Sequence, residues 1–211
     1  KATKETWSSS ETTLPERTTK QDFDKNTVLS RFDHQLKSSG IKTYHTLSPD
    51  FSWSTSDISQ IKNQYQLEKY IVLFPFCSPH LKSKRWPYYN DLISLIHEKL
   101  KNKFKVVIAP GPGEIKEASS INANCILDNG KALDISQLAA LIRDSSFVVA
   151  NDTGPAHMTA HLGSKGIALF GVHTTAYKVS IERENFNAIQ VSDLTKLSAQ
   201  KVFEKLTSSF N

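Results

Sequence analysis

Short apolar segments recur along the chain from Tyr70 onward, with amphipathic stretches between them. The apolar segments are three to five residues long, rich in β-branched or aromatic residues and bounded by turn-forming residues, which is typical of buried strands. They are Tyr70–Phe74, Lys105–Ala109, Cys125–Leu127, Phe147–Ala150 and Ile167–Phe170. Strands that alternate with helices usually form a parallel sheet that is covered on both faces. We therefore predict an α/β, Rossmann-like fold over residues 68–190.

Three amphipathic stretches have the spacing of helices with one apolar face. The first has Pro87 at its first helical position, and its face comprises Tyr88, Leu92, Leu95, Ile96 and Leu100. The second is capped by Asp134, and its inner face comprises Ile135, Leu138, Ala139 and Ile142. The third is a last helix from about Leu194 to Leu206, capped by Ser192 or Asp193.

The chain divides into three parts by the periodicity of its apolar and polar residues. Residues 1–26 are predicted as a flexible polar segment, because they lack helical or alternating periodicity. Residues 27–67 are predicted as a connector with one helix over residues 27–39, in which Val28, Phe32 and Leu36 share a face and Gly40 follows the end. Residues 68–211 form the predicted Rossmann-like domain.

Composition limits the partners and the compartment. The chain carries 26 Lys and Arg against 21 Asp and Glu, a net charge of +5 over 211 residues. These charges are scattered, so we expect no nucleic-acid partner, whereas an anionic small ligand or an acidic membrane surface suits them equally well. Cys77 and Cys125 have no CxxC partner and are predicted as reduced thiols.

In an open parallel sheet, ligands bind at the carboxyl ends of the strands. The most distinctive segment at such an end is Asn-Asp-Thr-Gly-Pro-Ala-His at residues 151–157, between a strand and a helix. Pro155 suits the first helical position, Gly154 allows close backbone approach, and the N–H groups of the turn can hold phosphate oxygens. The alternative is a plain junction in which Asp152 or Thr153 only caps the helix.

Two other strand ends carry candidate chemistry. Residues 76–87 include Lys82, Lys84 and Arg85 before a helix, an arrangement that suits an anion, although Lys82 is better explained as solvated and Trp86 as a core residue. In residues 110–114, Glu114 can accept hydrogen bonds from ribose hydroxyls, or it simply lies in the first turn of a helix.

Two other chemistries fit the sequence poorly. His157 and His161 lie one helical turn apart, but the stretch lacks the Glu of zinc proteases and a third ligand, so we expect no metal. The turn at 111–114 is not a dinucleotide fingerprint, because Lys116 stands where the third Gly would be. This substitution disfavours a Rossmann oxidoreductase.

Together, the Lys-Arg-Trp-Pro stretch at 84–87, the Gly-Pro-Gly-Glu turn at 111–114 and the 151–157 segment resemble glycosyltransferase family 9, the bacterial heptosyltransferases of lipopolysaccharide assembly and their relatives. The resemblance covers residues 68–190 and extends weakly over 26–66, which would be a remnant of the N-terminal domain and interdomain region. It implies the C-terminal half of a two-domain GT-B enzyme. Such an enzyme transfers a sugar, with inversion, from a nucleotide-diphosphate sugar to a lipopolysaccharide-type acceptor.

The resemblance also implies roles for residues at the donor phosphates. Asp152, Thr153 and Gly154 would hold the diphosphate through backbone N–H groups. Lys84 would stabilise the leaving nucleoside diphosphate, and Ser78 would add a phosphate contact. No metal or other cofactor is expected, because Lys84 and a helix N-terminus supply the positive charge.

On the nucleoside side, the resemblance implies that Glu114 binds the ribose and that Leu133 lies against the base. His157 would lie near the phosphates. We expect an ADP-sugar as donor, although the residues themselves are compatible with either adenine or uracil.

The family's general base belongs to an acceptor domain that residues 1–67 are too short and irregular to supply. We therefore expect a fragment without its catalytic base, from a cytoplasmic enzyme at the inner face of the membrane that meets its lipid-linked or lipopolysaccharide-core acceptor through the missing domain. The alternative is a non-catalytic nucleotide-binding or regulatory module.

Overall fold

The computed structural model describes residues 14–101 and 103–210. The chain separates into two compact units. The smaller unit runs up to Pro49 and includes Ala176–Ser180, and the larger one contains Asp50–Thr175 and the residues from Ile181 onward. Half of the predicted flexible segment, residues 1–13, lies outside the described residues, and in the other half Lys20–Phe23 is helical with Phe23 buried.

The secondary structure alternates between strands and helices through the larger unit. The α-helices of the described residues are α1 (Lys20–Phe23), α2 (Val28–Ser38), α3 (Ser59–Tyr65), α4 (Tyr89–Lys99), α5 (Ile115–Ala118), α6 (Ile135–Arg143), α7 (Gly154–His161), α8 (Ala176–Val179) and α9 (Ala199–Thr207). The strands are β1 (Tyr70–Phe74), β2 (Lys105–Ile108), β3 (Asn124–Cys125), β4 (Phe147–Asn151), β5 (Gly166–Phe170) and β6 (Phe186–Gln190). Short 3-10 turns occupy Ser52–Ser54, Pro79–Lys84, Leu194–Lys196 and Ser208–Phe210.

In the smaller unit, the helix predicted over residues 27–39 is present as α2. The Thr27 side chain caps it by accepting a hydrogen bond from the Ser30 N–H, and Gly40 follows with a positive φ of 76°. The face shared by Val28, Phe32 and Leu36 is only partly covered, since Phe32 is 49% exposed and no α2 residue is buried.

In the larger unit, the six strands form one parallel sheet in the order β3-β2-β1-β4-β5-β6. This confirms the predicted α/β, Rossmann-like fold class. Four of its strands lie where they were predicted, β3 overlaps the predicted segment Cys125–Leu127 only at Cys125, and β6 was missed. The β6 sequence, Phe-Asn-Ala-Ile-Gln, lies at the sheet edge with only Phe186 buried, so it lacks the apolar run that marks the inner strands.

The predicted helices of this unit are present, with three corrections. The capping box at α6 pairs Asp134 with Gln137 as expected of a cap, but Ile135 in the first turn is 66% exposed and is not on the inner face. Pro87 lies outside α4, because the helix begins after Tyr88. The last predicted helix is two elements, because Ser198 accepts from the Lys201 N–H and starts α9 after the 3-10 turn.

From β1 the chain adds β2 and β3 toward one edge of the sheet, and from β4 it adds β5 and β6 toward the other edge. The order of the strands therefore reverses between the neighbours β1 and β4. In sheets of this kind, the segments that leave such neighbouring strands diverge to opposite faces and open a crevice at the carboxyl ends. The loop after β1 and the start of α7 after β4 therefore form the two walls of the expected ligand site.

Gly166 offers a test of this sheet. A Cβ at this position would lie 2.6 Å from the Val148 carbonyl oxygen and 2.8 Å from the Phe186 ring. We predict that Gly166→Ala lowers the free energy of unfolding by about 1–3 kcal/mol, the usual cost of overpacking, in urea denaturation.

Gly113→Ala is the matched control, because a Cβ there meets nothing within 4 Å. Equal stability of the two variants would contradict the packing of β4, β5 and β6 described here.

Candidate functional site

A cleft of about 440 Å³ opens at the carboxyl ends of β1, β2 and β4. Its walls come from residues 74–78 at the end of β1, from 109–111 and Glu114 after β2, and from 152–155 after β4. Seven of the eight predicted site residues line it: Ser78, Lys84, Glu114, Leu133, Asp152, Thr153 and Gly154. The eighth, His157, lies on α7 with its Nε2 atom 3.8 Å from Asp152 Oδ1.

Asp152 is the electrostatic centre of the cleft. Its side chain is only 5% exposed, and its Oδ2 atom lies 2.7 Å from Lys84 Nζ and 2.8 Å from His173 Nε2. Burial alone would raise the pKa of the Asp152 carboxyl, but contacts with His157, Lys84 and His173 outweigh burial and hold that pKa well below its ordinary value. Asp152 is therefore an ionised group that gathers cationic and N–H donors around one end of the cleft.

The N-terminus of α7 faces the same cleft. Among the described residues no side chain caps this helix, because Thr153 instead donates its hydroxyl to the Asn151 carbonyl at 3.2 Å. The interpretation of Asp152 or Thr153 as a mere cap is therefore wrong. Gly154 is the first helical residue and Pro155 the second, one position later than we expected. The helix N-terminus thus leaves N–H groups and the positive end of its dipole at the cleft wall.

Of the three cationic side chains in residues 76–87, the structure directs one to the cleft. Arg85 pairs with Glu117 and lies over the Phe76 ring at 5.7 Å, and Lys82 is exposed. Trp86 is buried, and its indole N–H donates to the Leu197 carbonyl at 2.7 Å, which confirms its interpretation as a core residue.

The nucleoside side of the predicted site is partly occupied by internal contacts. Glu114 Oε2 accepts a hydrogen bond from the Gly111 N–H at 2.8 Å, so this carboxylate closes its own turn. Leu133 and Leu138 provide an apolar wall opposite. Ser78 is exposed at the start of the 3-10 turn that carries Lys84.

The sequence reasoning missed two residues that build this site. Asn151 is fully buried, its Oδ1 accepts from the Trp86 N–H and the Tyr89 hydroxyl at 3.2 Å each, and its Nδ2 donates to the Pro75 carbonyl at 2.8 Å. It thereby fastens the loop after β1 to the end of β4. A carboxamide that ends an otherwise apolar strand was the available signal.

His173 is the second missed residue. It lies in a strand-end segment, 171–175, where ligand contacts are expected, but it belongs to no motif, and its approach to Asp152 depends on the fold.

Other candidate chemistries can be placed as well. Within residues 14–101 and 103–210, no group of three or more His, Cys, Asp or Glu side chains is arranged to hold a metal, and the rings of His157 and His161 are 6.4 Å apart. Burial, aided by Arg183 and His157, lowers the pKa of His161 to about 4. Cys77 and Cys125 are both free thiols, as predicted. A membrane-spanning helix, by length and apolar character, is absent from the part of the chain that the structure describes.

Comparison with known proteins places these features in a family. The sequence model of glycosyltransferase family 9 (heptosyltransferase) matches residues 7–207. None of the curated proteins matches this chain significantly.

Three solved structures share the fold. The E. coli ADP-heptose lps heptosyltransferase II is 18% identical, with a TM-score of 0.59, over 80% of this chain and 52% of its own. E. coli heptosyltransferase WaaC with ADP is 20% identical, with a TM-score of 0.60, over 85% of this chain and 56% of its own. The family 9 glycosyltransferase from Veillonella parvula DSM 2008 is 14% identical, with a TM-score of 0.68, over 92% of this chain and 61% of its own. The chain thus spans between 52% and 61% of the length of these proteins, and the likeness confirms the predicted fold, that of about half of a GT-B glycosyltransferase.

Asn151 provides a test of how the cleft is held open. Replacing it by Ala leaves the Trp86 N–H and the Pro75 carbonyl without their partner in the interior. We predict that Asn151→Ala lowers the free energy of unfolding by about 2–4 kcal/mol, from unpaired buried groups at roughly 1–3 kcal/mol each, measured by chemical denaturation. Asn187→Ala, at an exposed position of β6, is the control and should cost little. A loss no larger than that of the control would refute this role for Asn151.

Proposed function

The chain belongs to glycosyltransferase family 9 (heptosyltransferase), and we propose that its cleft binds a nucleotide-diphosphate sugar as donor. In the intact enzyme the sugar would pass to a lipopolysaccharide-type acceptor with inversion at the anomeric carbon. The observation that carries this proposal is the position of Lys84, which is fixed 2.7 Å from Asp152 and lines the same cleft as the uncapped start of α7.

A diphosphate needs positive charge and N–H donors at short range. Lys84 supplies a full charge, and the N–H groups of Thr153 and Gly154 supply oriented donors at the positive end of a helix. The negative charge of Asp152 does not stand alone against the phosphates, because Lys84 and His173 both contact it. Asp152 would therefore bind the diphosphate through its backbone N–H, and its carboxylate would hold Lys84 and His173 in place.

The opposite end of the cleft suits a nucleoside. Leu133, Leu138 and Pro110 offer apolar surface for a base, and Glu114 offers carboxylate oxygen toward ribose hydroxyls. Two of the similar E. coli structures hold ADP or ADP-2-deoxy-2-fluoro heptose, which supports an ADP-sugar as the donor of this chain.

The reaction proposed for the intact enzyme follows from these positions. An acceptor hydroxyl attacks the anomeric carbon from the face opposite the diphosphate, the bond from this carbon to the diphosphate oxygen breaks, and the hydroxyl proton passes to a base. Negative charge grows on the leaving diphosphate, so Lys84 and the α7 N-terminus stabilise the transition state more than the ground state. No metal or other cofactor takes part.

The base would come from outside the cleft described here. The carboxylates that line the cleft are Glu114 and Asp152. The first accepts from the Gly111 N–H, and the second is enclosed by Lys84 and His173. We propose that the second domain of a GT-B enzyme supplies this base and the acceptor site, at the cytoplasmic face of the membrane.

The charge of Lys84 is the first test. We predict that Lys84→Ala weakens ADP binding by roughly 1.5–3 kcal/mol, the range for a hydrogen bond to a charged group, in isothermal titration calorimetry. Lys82→Ala removes an exposed lysine of the same 3-10 turn outside the cleft and should leave the affinity unchanged. Equal affinities of wild type and Lys84→Ala, or equal losses in both variants, would refute the role of Lys84.

The backbone of Gly154 is the second test. A Cβ on Gly154 meets nothing within 4 Å apart from its chain neighbours and its own helix backbone, so the unliganded protein has room for a Cβ at this position. We predict that Gly154→Val abolishes ADP binding in calorimetry, because the side chain would occupy the space of the phosphates. The free energy of unfolding should change by only about 0.5 kcal/mol. Retained affinity would mean that the turn is not the phosphate site.

A further inference from the structure

His173 is held in place by its own loop and by the sheet. Its ring stacks nearly parallel on Phe170 at 6.3 Å, and its side chain is 16% exposed. Gln190, at the end of β6, donates to the carbonyls on both sides of it, Gly171 at 2.5 Å and Thr174 at 3.2 Å. The loop after β5 therefore presents this imidazole in a defined direction.

The direction is toward Asp152. Because the Asp152 carboxyl is ionised, it can only accept hydrogen bonds, so His173 Nε2 carries the hydrogen of the 2.8 Å contact. The same oxygen, Oδ2, also accepts from Lys84 Nζ at 2.7 Å. His173 and Lys84 thus share one acceptor atom from two different loops.

We propose that His173 is a positioning residue for Lys84, acting through the Asp152 carboxylate. A lysine side chain loses rotamer entropy when it binds a ligand, and a carboxylate that is itself fixed removes part of that loss beforehand. The proposal rests on the donor site proposed above, since its consequence is a Lys84 ammonium that is already in place when a diphosphate arrives.

Direct contact of His173 with the ligand is the competing explanation. The structure favours the indirect route, because the His173 Nε2 hydrogen is committed to Asp152 and the side chain is mostly buried. His157 approaches the same carboxylate at its other oxygen. Its Nε2 atom is 3.8 Å from Oδ1, longer than a hydrogen bond, whereas Lys84 and His173 share Oδ2.

A double-mutant cycle separates the two routes. Calorimetry with ADP, inorganic diphosphate and adenosine would be run on wild type, His173→Ala, Lys84→Ala and the double variant. We expect His173→Ala to weaken ADP and diphosphate binding about five- to tenfold, as coupled neighbours do, and to leave adenosine binding unchanged. In the Lys84→Ala background, the same substitution should cause no further loss.

Two controls keep the result interpretable. His173→Gln retains an N–H donor and should restore most of the affinity, and Val172→Ala changes a 78% exposed residue of the same loop and should have no effect. Denaturation curves of each variant would identify any that fails to fold. If His173→Ala fails to fold, the ADP affinity of His173→Gln is compared with that of wild type, and an unchanged or only slightly reduced affinity supports the positioning role.

The outcomes distinguish the two proposals. Additive losses in the cycle, or wild-type affinity in His173→Ala, would overturn the positioning role while the donor site stands. Wild-type protein that binds neither ADP nor diphosphate would overturn the donor site and this role with it.

Discussion

The site depends on one buried carboxylate. Asp152 follows the last residue of β4, and a charge in that position requires partners, because an isolated ionised group in the interior is costly. Those partners come from three separate stretches of chain: Lys84 after β1, His173 after β5 and His157 on α7. The contacts of this one carboxylate thus join the segments that follow β1, β4 and β5, at the point in the sheet where a crevice forms.

The loop that carries Lys84 must itself be held in place for this contact, and Asn151, the residue before Asp152, holds it. Asn151 uses its carboxamide to bind the loop after β1 from both sides, at Pro75 and at Trp86. Trp86 is in turn fixed at its indole N–H by the Leu197 carbonyl. Lys84 therefore reaches Asp152 from a loop whose ends are tied to the core, and the cleft has its charge set before any ligand enters.

The sequence was most informative where local signals and topology agree. Inner strands of a parallel sheet are continuous apolar runs, so β1, β2, β4 and β5 could be predicted, and the segments that follow them necessarily meet at one edge. That geometry is why residues as far apart as Ser78 and Gly154 line the same cleft. The resemblance to family 9 then implied donor-binding roles for residues that lie in the segments after these strands.

Most of the misses have a common physical cause, which is dependence on partners distant in sequence. The edge strand β6 is half polar and forms because β5 is available for pairing. The break before α9 is the exception, because it depends on the local Ser198 cap, which competes with a longer helix. Asn151 opens the 151–157 segment and His173 belongs to no motif, but the importance of both lies in which groups the fold brings within 3 Å of them.

The proposed donor site requires that the end of the cleft around Asp152 receives a diphosphate. A crystal structure of the chain with ADP would show whether it does. We predict phosphate oxygens within hydrogen-bond distance of Lys84 Nζ and the Thr153 and Gly154 N–H groups, with the Asp152–His173 contact intact. A diphosphate bound elsewhere on the chain, with this end of the cleft unchanged, would contradict it.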